Sequence, residues 1–208
     1  MRPLPDLRLY LVTDSSAPLG VVETALAAVR GGAGLVQLRD KEADDAALAA
    51  VARALVEALR PTGVPLLVND RPDIARAAGA AGCHVGQSDS LAAEAREMLG
   101  PDALIGLSVE TPEHLKGVDP AVVDYVGAGP VFATASKPGH APEIGFDGLA
   151  ELCAASPVPA IAIGGLKARH AGQVRQAGAA GMAVVSALCA AADPEAAARE
   201  ILDAWSAR

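Results

Sequence analysis

The pentapeptide Ala-Gly-Ala-Ala-Gly occurs twice, at residues 78–82 and 177–181, with a shorter relative at Gly31-Gly32-Ala33-Gly34. Each copy follows a helix-like apolar pattern and precedes a short apolar run: Leu35–Leu38, Cys83–Val85 and Met182–Val185. Glycine after a helix supplies a left-handed cap, and the turn behind it launches a strand. Gly79 and Gly178 lie 99 residues apart, Gly31 and Gly79 lie 48 apart. Four and two βα units in those intervals give about 24 residues per unit, near the practical minimum. At that length, a chain of 208 residues holds about eight units.

Eight apolar runs are present. Strands are expected at Leu7–Thr13, Leu35–Arg39, Pro65–Val68, Cys83–Gly86, Leu104–Val109, Tyr125–Val131, Pro159–Ile163 and Met182–Ser186. Helical patterns at Val21–Arg30, Asp44–Arg60, Leu91–Leu99 and Ala168–Ala177 lie between them, with a last helix at Pro194–Ser206. Pro72, Pro112 and Pro194 fall near helix starts, where the missing N–H is harmless. Most of the runs are continuously apolar, as parallel strands covered on both faces must be. Eight such units close into a (β/α)₈ TIM barrel, and no linker divides the chain, so residues 1–208 read as one domain. A doubly wound open sheet is the runner-up, but no Gly-x-Gly-x-x-Gly follows the first strand.

Three of these runs end in polar clusters: Gln37-Leu38-Arg39-Asp40-Lys41, Asn69-Asp70-Arg71 and Gly86-Gln87-Ser88-Asp89. Alternate strand residues share a face, so Gln37, Arg39 and Lys41 point together, away from Val36 and Leu38. Arg39 has the fork geometry for a phosphate, and Lys41 acts as a point charge. Asp70 and Asp89 each suit a helix cap. Together on adjacent strand ends they suit Mg²⁺, which takes carboxylate and phosphate oxygens. Asn69 suits a neutral polar group, and Ser108 ends the fifth strand facing the mouth.

Phosphate in such a barrel is often held after strands seven and eight. Ile163-Gly164-Gly165 and Val185-Ser186 stand there, offering main-chain N–H groups and a hydroxyl. After strand six, Thr134, Ser136 and Lys137 lie on a Pro/Gly-rich loop suited to cover a phosphate. No histidine is expected beside Ser108 to make a Ser-His-Asp triad, and His84, His114, His140 and His170 read as structural or surface residues.

Composition removes several other classes. A net charge of −8 argues against general duplex binding, so an anionic substrate needs a local basic pocket. The few aromatics (Tyr10, Tyr125, Phe132, Phe146, Trp205) argue against stacking platforms for single-stranded nucleic acid. Cys83, Cys153 and Cys189 are far apart in apolar sequence and read as buried thiols in a reducing compartment. No signal-peptide pattern or membrane span is found, and a cytoplasmic location is expected, with a homo-oligomer left open.

The ordered set resembles the thiamine-phosphate synthase family. It comprises Leu9-Tyr10-Leu11-Val12-Thr13-Asp14, the Gln37–Lys41 cluster, Asn69-Asp70-Arg71, His84-Val85-Gly86-Gln87, Tyr125-Val126-Gly127 with Gly129-Pro130, and Ala162-Ile163-Gly164-Gly165. The resemblance implies a transferase that joins 4-amino-2-methyl-5-hydroxymethylpyrimidine diphosphate to 4-methyl-5-(2-phosphoethyl)thiazole, releasing pyrophosphate. It implies that Gln37, Leu38, Arg39, Asp40, Lys41, Asn69, Ser108 and Lys137 bind the pyrimidine diphosphate, with Ser108 and Lys137 catalytic. Asp70 and Asp89 would hold Mg²⁺; Thr134, Ala135, Ser136, Gly165, Val185 and Ser186 would serve the thiazole phosphate, Thr134 and Ser136 alternatively the departing pyrophosphate. Asp40 stands where the family often has glutamate, and Ser136 where threonine is common.

The competing readings are a related thiazole tautomerase, a non-catalytic barrel that senses a thiamine precursor, and a tryptophan-pathway isomerase. The tautomerase pattern places a histidine where Pro130 stands, and needs no diphosphate-metal centre. A sensor could lose Asp70 or Asp89, yet both are kept, and an isomerase leaves the acidic and basic clusters unexplained.

Overall fold

The computed structural model describes residues 4–87, 89–134 and 142–207, and only the main chain of Asp89 and Ser90. Eight parallel strands close on themselves in chain order. They are β1 (Leu9–Val12), β2 (Leu35–Leu38), β3 (Leu66–Asn69), β4 (Gly82–Val85), β5 (Leu104–Val109), β6 (Tyr125–Ala128), β7 (Ala160–Ile163) and β8 (Gly181–Val184). The ring is sealed where β1 pairs with β8, Leu9 opposite Met182. Helices α1 (Val21–Arg30), α2 (Asp45–Leu59), α3 (Pro72–Ala78), α4 (Asp89–Leu99), α5 (Pro112–Leu115), α6 (Gly145–Ala155), α7 (Ala171–Gln176), α8 (Ser186–Cys189) and α9 (Pro194–Ser206) return the chain between strands and end it. The expected (β/α)₈ barrel is thus observed.

The strand period divides the apolar residues into two cores. Leu9, Leu11, Val36, Leu38, Val68 and Val126 point outward and pack with helix residues such as Leu55, Leu149 and Ile201. Tyr10, Val12, Leu35, Leu67, Leu104, Tyr125, Ile161 and Ala183 fill the inside of the ring. Each fully buried aliphatic side chain contributes about 1.5–3 kcal/mol. The helices are fixed locally as well: Asp44 caps α2 through the Ala47 N–H at 2.8 Å, and Asp193 caps α9 through that of Ala196 at 3.0 Å. Pro72, Pro112 and Pro194 all occupy first-turn positions.

Some boundaries differ from the sequence pattern. The run expected as a strand over Tyr125–Val131 leaves the ladder after Ala128, because Val131 donates instead to the Ile163 carbonyl at 2.9 Å while its side chain stays buried. Asp70 and Asp89 follow their strands rather than close them, and Ser186 opens α8 because Val185 (φ −109°, ψ −85°) breaks the extended path. The segment 168–177 begins as a 3₁₀ turn over Ala168–His170 before α7.

The repeat has a steric meaning. Gly79 caps α3 in the left-handed conformation (φ +72°), as its place in the repeat requires. The second glycine of each copy does different work: a Cβ on Gly82 would enter the Leu104 carbonyl, and one on Gly181 the Leu7 carbonyl. These glycines let the base of one strand touch its neighbour. Gly82→Ala is therefore expected to destabilise by about 3 kcal/mol or more. Gly79→Ala, facing open space, should lose only about 1–2 kcal/mol from its backbone conformation. Urea unfolding of the two variants checks the order, and the reverse order would refute this account.

Candidate active site

Inward-pointing residues near the carboxyl ends of the strands line a cavity of about 290 Å³. Its floor is a hydrogen-bonded chain across the ring. The Gln37 amide donates to the Tyr10 hydroxyl at 2.6 Å, the Tyr10 and Tyr125 hydroxyls are 2.9 Å apart, and Tyr125 meets His84 Nδ1 at 2.9 Å. His84 Nε2 then meets Ser108 Oγ at 3.0 Å. Five side chains from β2, β1, β6, β4 and β5 are joined in this way. Burial raises both phenol pKa values above their ordinary range, so the two tyrosines are neutral. Glycine makes the room: a Cβ on Gly106 would enter the Tyr125 ring and His84 Nδ1, and one on Gly127 would stand 3.2 Å from His84 Cε1.

The basic and acidic groups gather on one rim. Gln37, Arg39 and Lys41 line the cavity together, as the period of β2 requires, with Asn69 and Asp70 beside them. The Arg39 N–H donates to Thr13 Oγ1 at 3.0 Å, which fixes the main chain beyond β2. Lys41 Nζ stands 3.8 Å from Asp70 Oδ2, and Asn69 Nδ2 donates to the same oxygen at 2.8 Å. Asp70 is, among the described residues, the one non-glycine with positive φ (57°). Its N–H donates to the His84 carbonyl at 2.8 Å, continuing the β3–β4 ladder one step past β3. Arg71 turns away, pairing with Asp45 and with Asp73 (2.9 Å), and so braces α3 against α2.

A second stretch of rim, after β7 and β8, is Gly164, Gly165, Leu166, Val185 and Ser186. Gly164 and Gly165 both have positive φ (106° and 62°). A Cβ on Gly164 would stand 2.7 Å from Pro130, and one on Gly165 2.7 Å from the Ala133 carbonyl oxygen. The glycine pair thus accommodates the segment leading out of β6, whose Phe132 N–H donates to the Gly164 carbonyl at 3.2 Å. Phe132 also packs edge-on against Phe146, ring centroids 5.1 Å apart, and lies 4.9 Å from the His170 ring. This brings Thr134 to the cavity.

Of the expected site residues, the structure brings Gln37, Arg39, Lys41, Asn69, Asp70, Ser108, Thr134, Gly165, Val185 and Ser186 to one cavity. Leu38 instead faces the helices, and Asp40 turns its carboxylate onto the N–H groups of Glu42 and Ala43 (3.0 and 3.1 Å). Ala135, Ser136, Lys137 and His140 lie outside the described residues, as does the side chain of Asp89. The expectation that no histidine stands beside Ser108 is corrected: His84 is at 3.0 Å and lines the cavity. It has inward parity on β4, two residues before Gly86, which is the signal that would have found it. Tyr10 and Tyr125, to which the sequence assigns no site role, line the same cavity. His114 accepts from the Glu110 N–H and His170 from that of Lys167 (both 3.2 Å), which are structural uses. The cysteines form no disulfide; burial pushes Cys83 up to about 12 and Cys189 to about 11.

Asp70 offers a hard oxygen donor at the cavity, in keeping with a Mg²⁺ site made of one or two carboxylates completed by phosphate and water. No group of three or more His, Cys, Asp or Glu side chains forms a metal cage among the described residues. Among those residues, no helix is long and apolar enough to cross a membrane.

Comparison with known proteins agrees with this geometry. A thiamine-phosphate synthase of Azorhizobium caulinodans is 54% identical over 198 residues, covering 94% of this chain and 93% of its own length. One from Psychrobacter is 50% identical over 201 residues, covering 94% of each. The structure of a thiamine phosphate pyrophosphorylase from Pyrococcus furiosus superposes with a TM-score of 0.86 at 32% identity, over 96% of both chains. A 3-hexulose-6-phosphate synthase, at 21% identity and TM-score 0.71, shares the fold. The family described as thiamine monophosphate synthase matches residues 9–188, and the chain belongs to it.

Proposed function

We propose that this cavity joins the pyrimidine diphosphate to the thiazole phosphate, forming thiamine phosphate and pyrophosphate. The observation that carries the reading is that the rim where Arg39 and Lys41 stand beside Asp70 lines one cavity with a separate Gly165–Ser186 rim. The first rim suits a diphosphate and its counter-ion, the second a single phosphate. Arg39 and Lys41 concentrate positive charge locally on a chain of net charge −8.

The reaction is a dissociative substitution. The pyrimidine's amino group stabilises the methylene cation left when pyrophosphate departs, and the thiazole nitrogen captures that cation. Little general-base work is needed; stabilising the leaving group and positioning the nucleophile carry the rate. Arg39, Lys41 and Lys137 are assigned to the leaving diphosphate. Gln37, Asn69 and Ser108 hold the pyrimidine, with His84 at 3.0 Å steadying Ser108. Asp70 and Asp89 would hold Mg²⁺, which supplies charge neutralisation at the diphosphate. Thr134 faces the departing group or the thiazole. Ser186 and the main chain at Gly165 and Val185 take the thiazole phosphate. A small-molecule enzyme of this kind works in the cytoplasm. The tautomerase alternative is weaker because Pro130 lines the cavity where that pattern has histidine.

The deciding assay follows pyrophosphate release with both substrates and Mg²⁺; no product from the wild type would favour a non-catalytic binding barrel. Asp70→Asn should lower turnover by several kcal/mol in barrier terms, on the order of a thousandfold. Because asparagine tolerates the left-handed conformation, its unfolding free energy should stay within about 0.5 kcal/mol of wild type. Unchanged turnover in that variant would remove Asp70 from the metal site. Ser186→Ala should weaken thiazole phosphate binding and spare the diphosphate. Gly165→Val is the poorer probe, since its side chain would strike the Ala133 carbonyl. Lys137→Ala should slow single-turnover bond formation while thiazole phosphate binding is kept; unimpaired bond formation would take Lys137 out of the mechanism.

A further inference from the structure

We propose that the buried chain Gln37–Tyr10–Tyr125–His84–Ser108 is a directional relay that sets the hydrogen-bonding character of both its ends toward the aminopyrimidine. Gln37 presents an acceptor and Ser108 a donor. Tyr10, Tyr125 and His84 are positioning residues for that ring. The inference rests on the reading of the cavity as the seat of the pyrimidine diphosphate.

Each tyrosine hydroxyl has one hydrogen to give. The Tyr10 oxygen receives the Gln37 amide N–H at 2.6 Å, so its own hydrogen goes to Tyr125 at 2.9 Å. Tyr125 then has its hydrogen for His84 Nδ1 at 2.9 Å. A neutral imidazole whose Nδ1 accepts carries its hydrogen on Nε2, and that atom faces Ser108 Oγ at 3.0 Å. Ser108 therefore accepts from His84 and turns its own hydrogen to the cavity that it lines.

At the other end, the Gln37 amide gives one of its two N–H groups to Tyr10, which turns the amide so that its oxygen is the acceptor left for a ligand. Among the described residues, Thr24 Oγ1 is the one buried side-chain polar atom without a partner. The Gln37 oxygen is thus not sealed in the core but opens on the cavity. An aminopyrimidine carries the complement: an exocyclic N–H donor beside ring nitrogens that accept.

The two ends are coupled. Rotating the Gln37 amide by half a turn would reverse every link in the chain, making Gln37 the donor and Ser108 the acceptor. With a neutral imidazole, the Gln37 oxygen and the Ser108 hydrogen are therefore free for a ligand together or not at all. Neither tyrosine is a bystander, because both are buried and neutral, and each hydroxyl bridges two members of the chain.

The primary test is ¹⁵N NMR of the histidine ring nitrogens in the full, ligand-free chain near neutral pH, with His84 identified by the signal lost in His84→Gln. The relay requires the hydrogen on Nε2. A hydrogen on Nδ1, or an imidazolium, overturns it without any need for the other variants. Tyr125→Phe and Tyr10→Phe then keep the ring volume and break the chain at one hydroxyl each. Both should raise the dissociation constant of the pyrimidine diphosphate about tenfold to a hundredfold while leaving thiazole phosphate binding unchanged. In Tyr125→Phe the single tautomer should become a mixture. A merely structural role would weaken both ligands alike, which would overturn the proposal, as would unchanged pyrimidine binding. Should Tyr125→Phe fail to fold, Tyr10→Phe and the wild-type tautomer still decide. A pyrimidine diphosphate with hydrogen in place of the amino group should lose less on going from wild type to Tyr10→Phe; an equal loss counts against the relay. If the wild type makes product but carries the hydrogen on Nδ1, the relay falls alone. If it binds no pyrimidine diphosphate, the functional reading falls with it.

Discussion

Closure of the eight-stranded ring is the constraint on which everything else depends. Pairing β8 back to β1 leaves a fixed interior in which every inward side chain competes for the same volume. The bulkiest side chains beneath the cavity take space that glycine yields on a neighbouring strand. Tyr125 and His84 fit because Gly106 and Gly127 have no side chain. The same bargain is made at the base of the ring, where Gly82 and Gly181 let adjacent main chains touch. A sequence rich in glycine and alanine is thus a requirement of the narrow interior, and it explains how a polar network can be placed inside so small a barrel.

Much of the architecture was legible in the sequence because it is periodic. Strand β5 and helices α1 and α9 have the bounds that the apolar pattern gives them, and Gln37, Arg39 and Lys41 share a face because the strand period is two. Strand ends were less legible, because burial outlasts hydrogen bonding. Val131 remains apolar and buried after its main chain has left the ladder for Ile163. The floor of the site was least legible. Tyr10 and Tyr125 are 115 residues apart and touch only through the register of a closed ring. No local window distinguishes them from core aromatics, or His84 from a satisfied buried histidine.

The electrostatics show a division of labour between neighbours in sequence. Asn69 and Asp70 face the cavity, whereas Arg71 is spent on Asp45 and Asp73. Arg39 and Lys41 face the cavity, whereas Asp40 between them ties down the turn. Alternation therefore sorts charges as well as apolar groups. It keeps two cations on the cavity side without placing the intervening carboxylate among them. Deep in the wall, Arg96 and Asp124 form a different kind of pair: their 2.6 Å contact is reinforced by main-chain partners at Val122, Ala103 and Ile105, and it locks α4 to the starts of β5 and β6.

Asp70 holds a backbone conformation that glycine or asparagine would adopt with less strain. Selection for folding alone would let this position drift toward either of them, and the barrel would persist with its cavity-facing carboxylate gone. Loss of catalysis in such a lineage would therefore leave no scar in stability or shape. A descendant could keep the cavity, the buried chain and the phosphate rim while becoming a receptor for the compounds it once consumed. If Asp70 holds the metal as proposed, that one aspartate marks the border between those two fates.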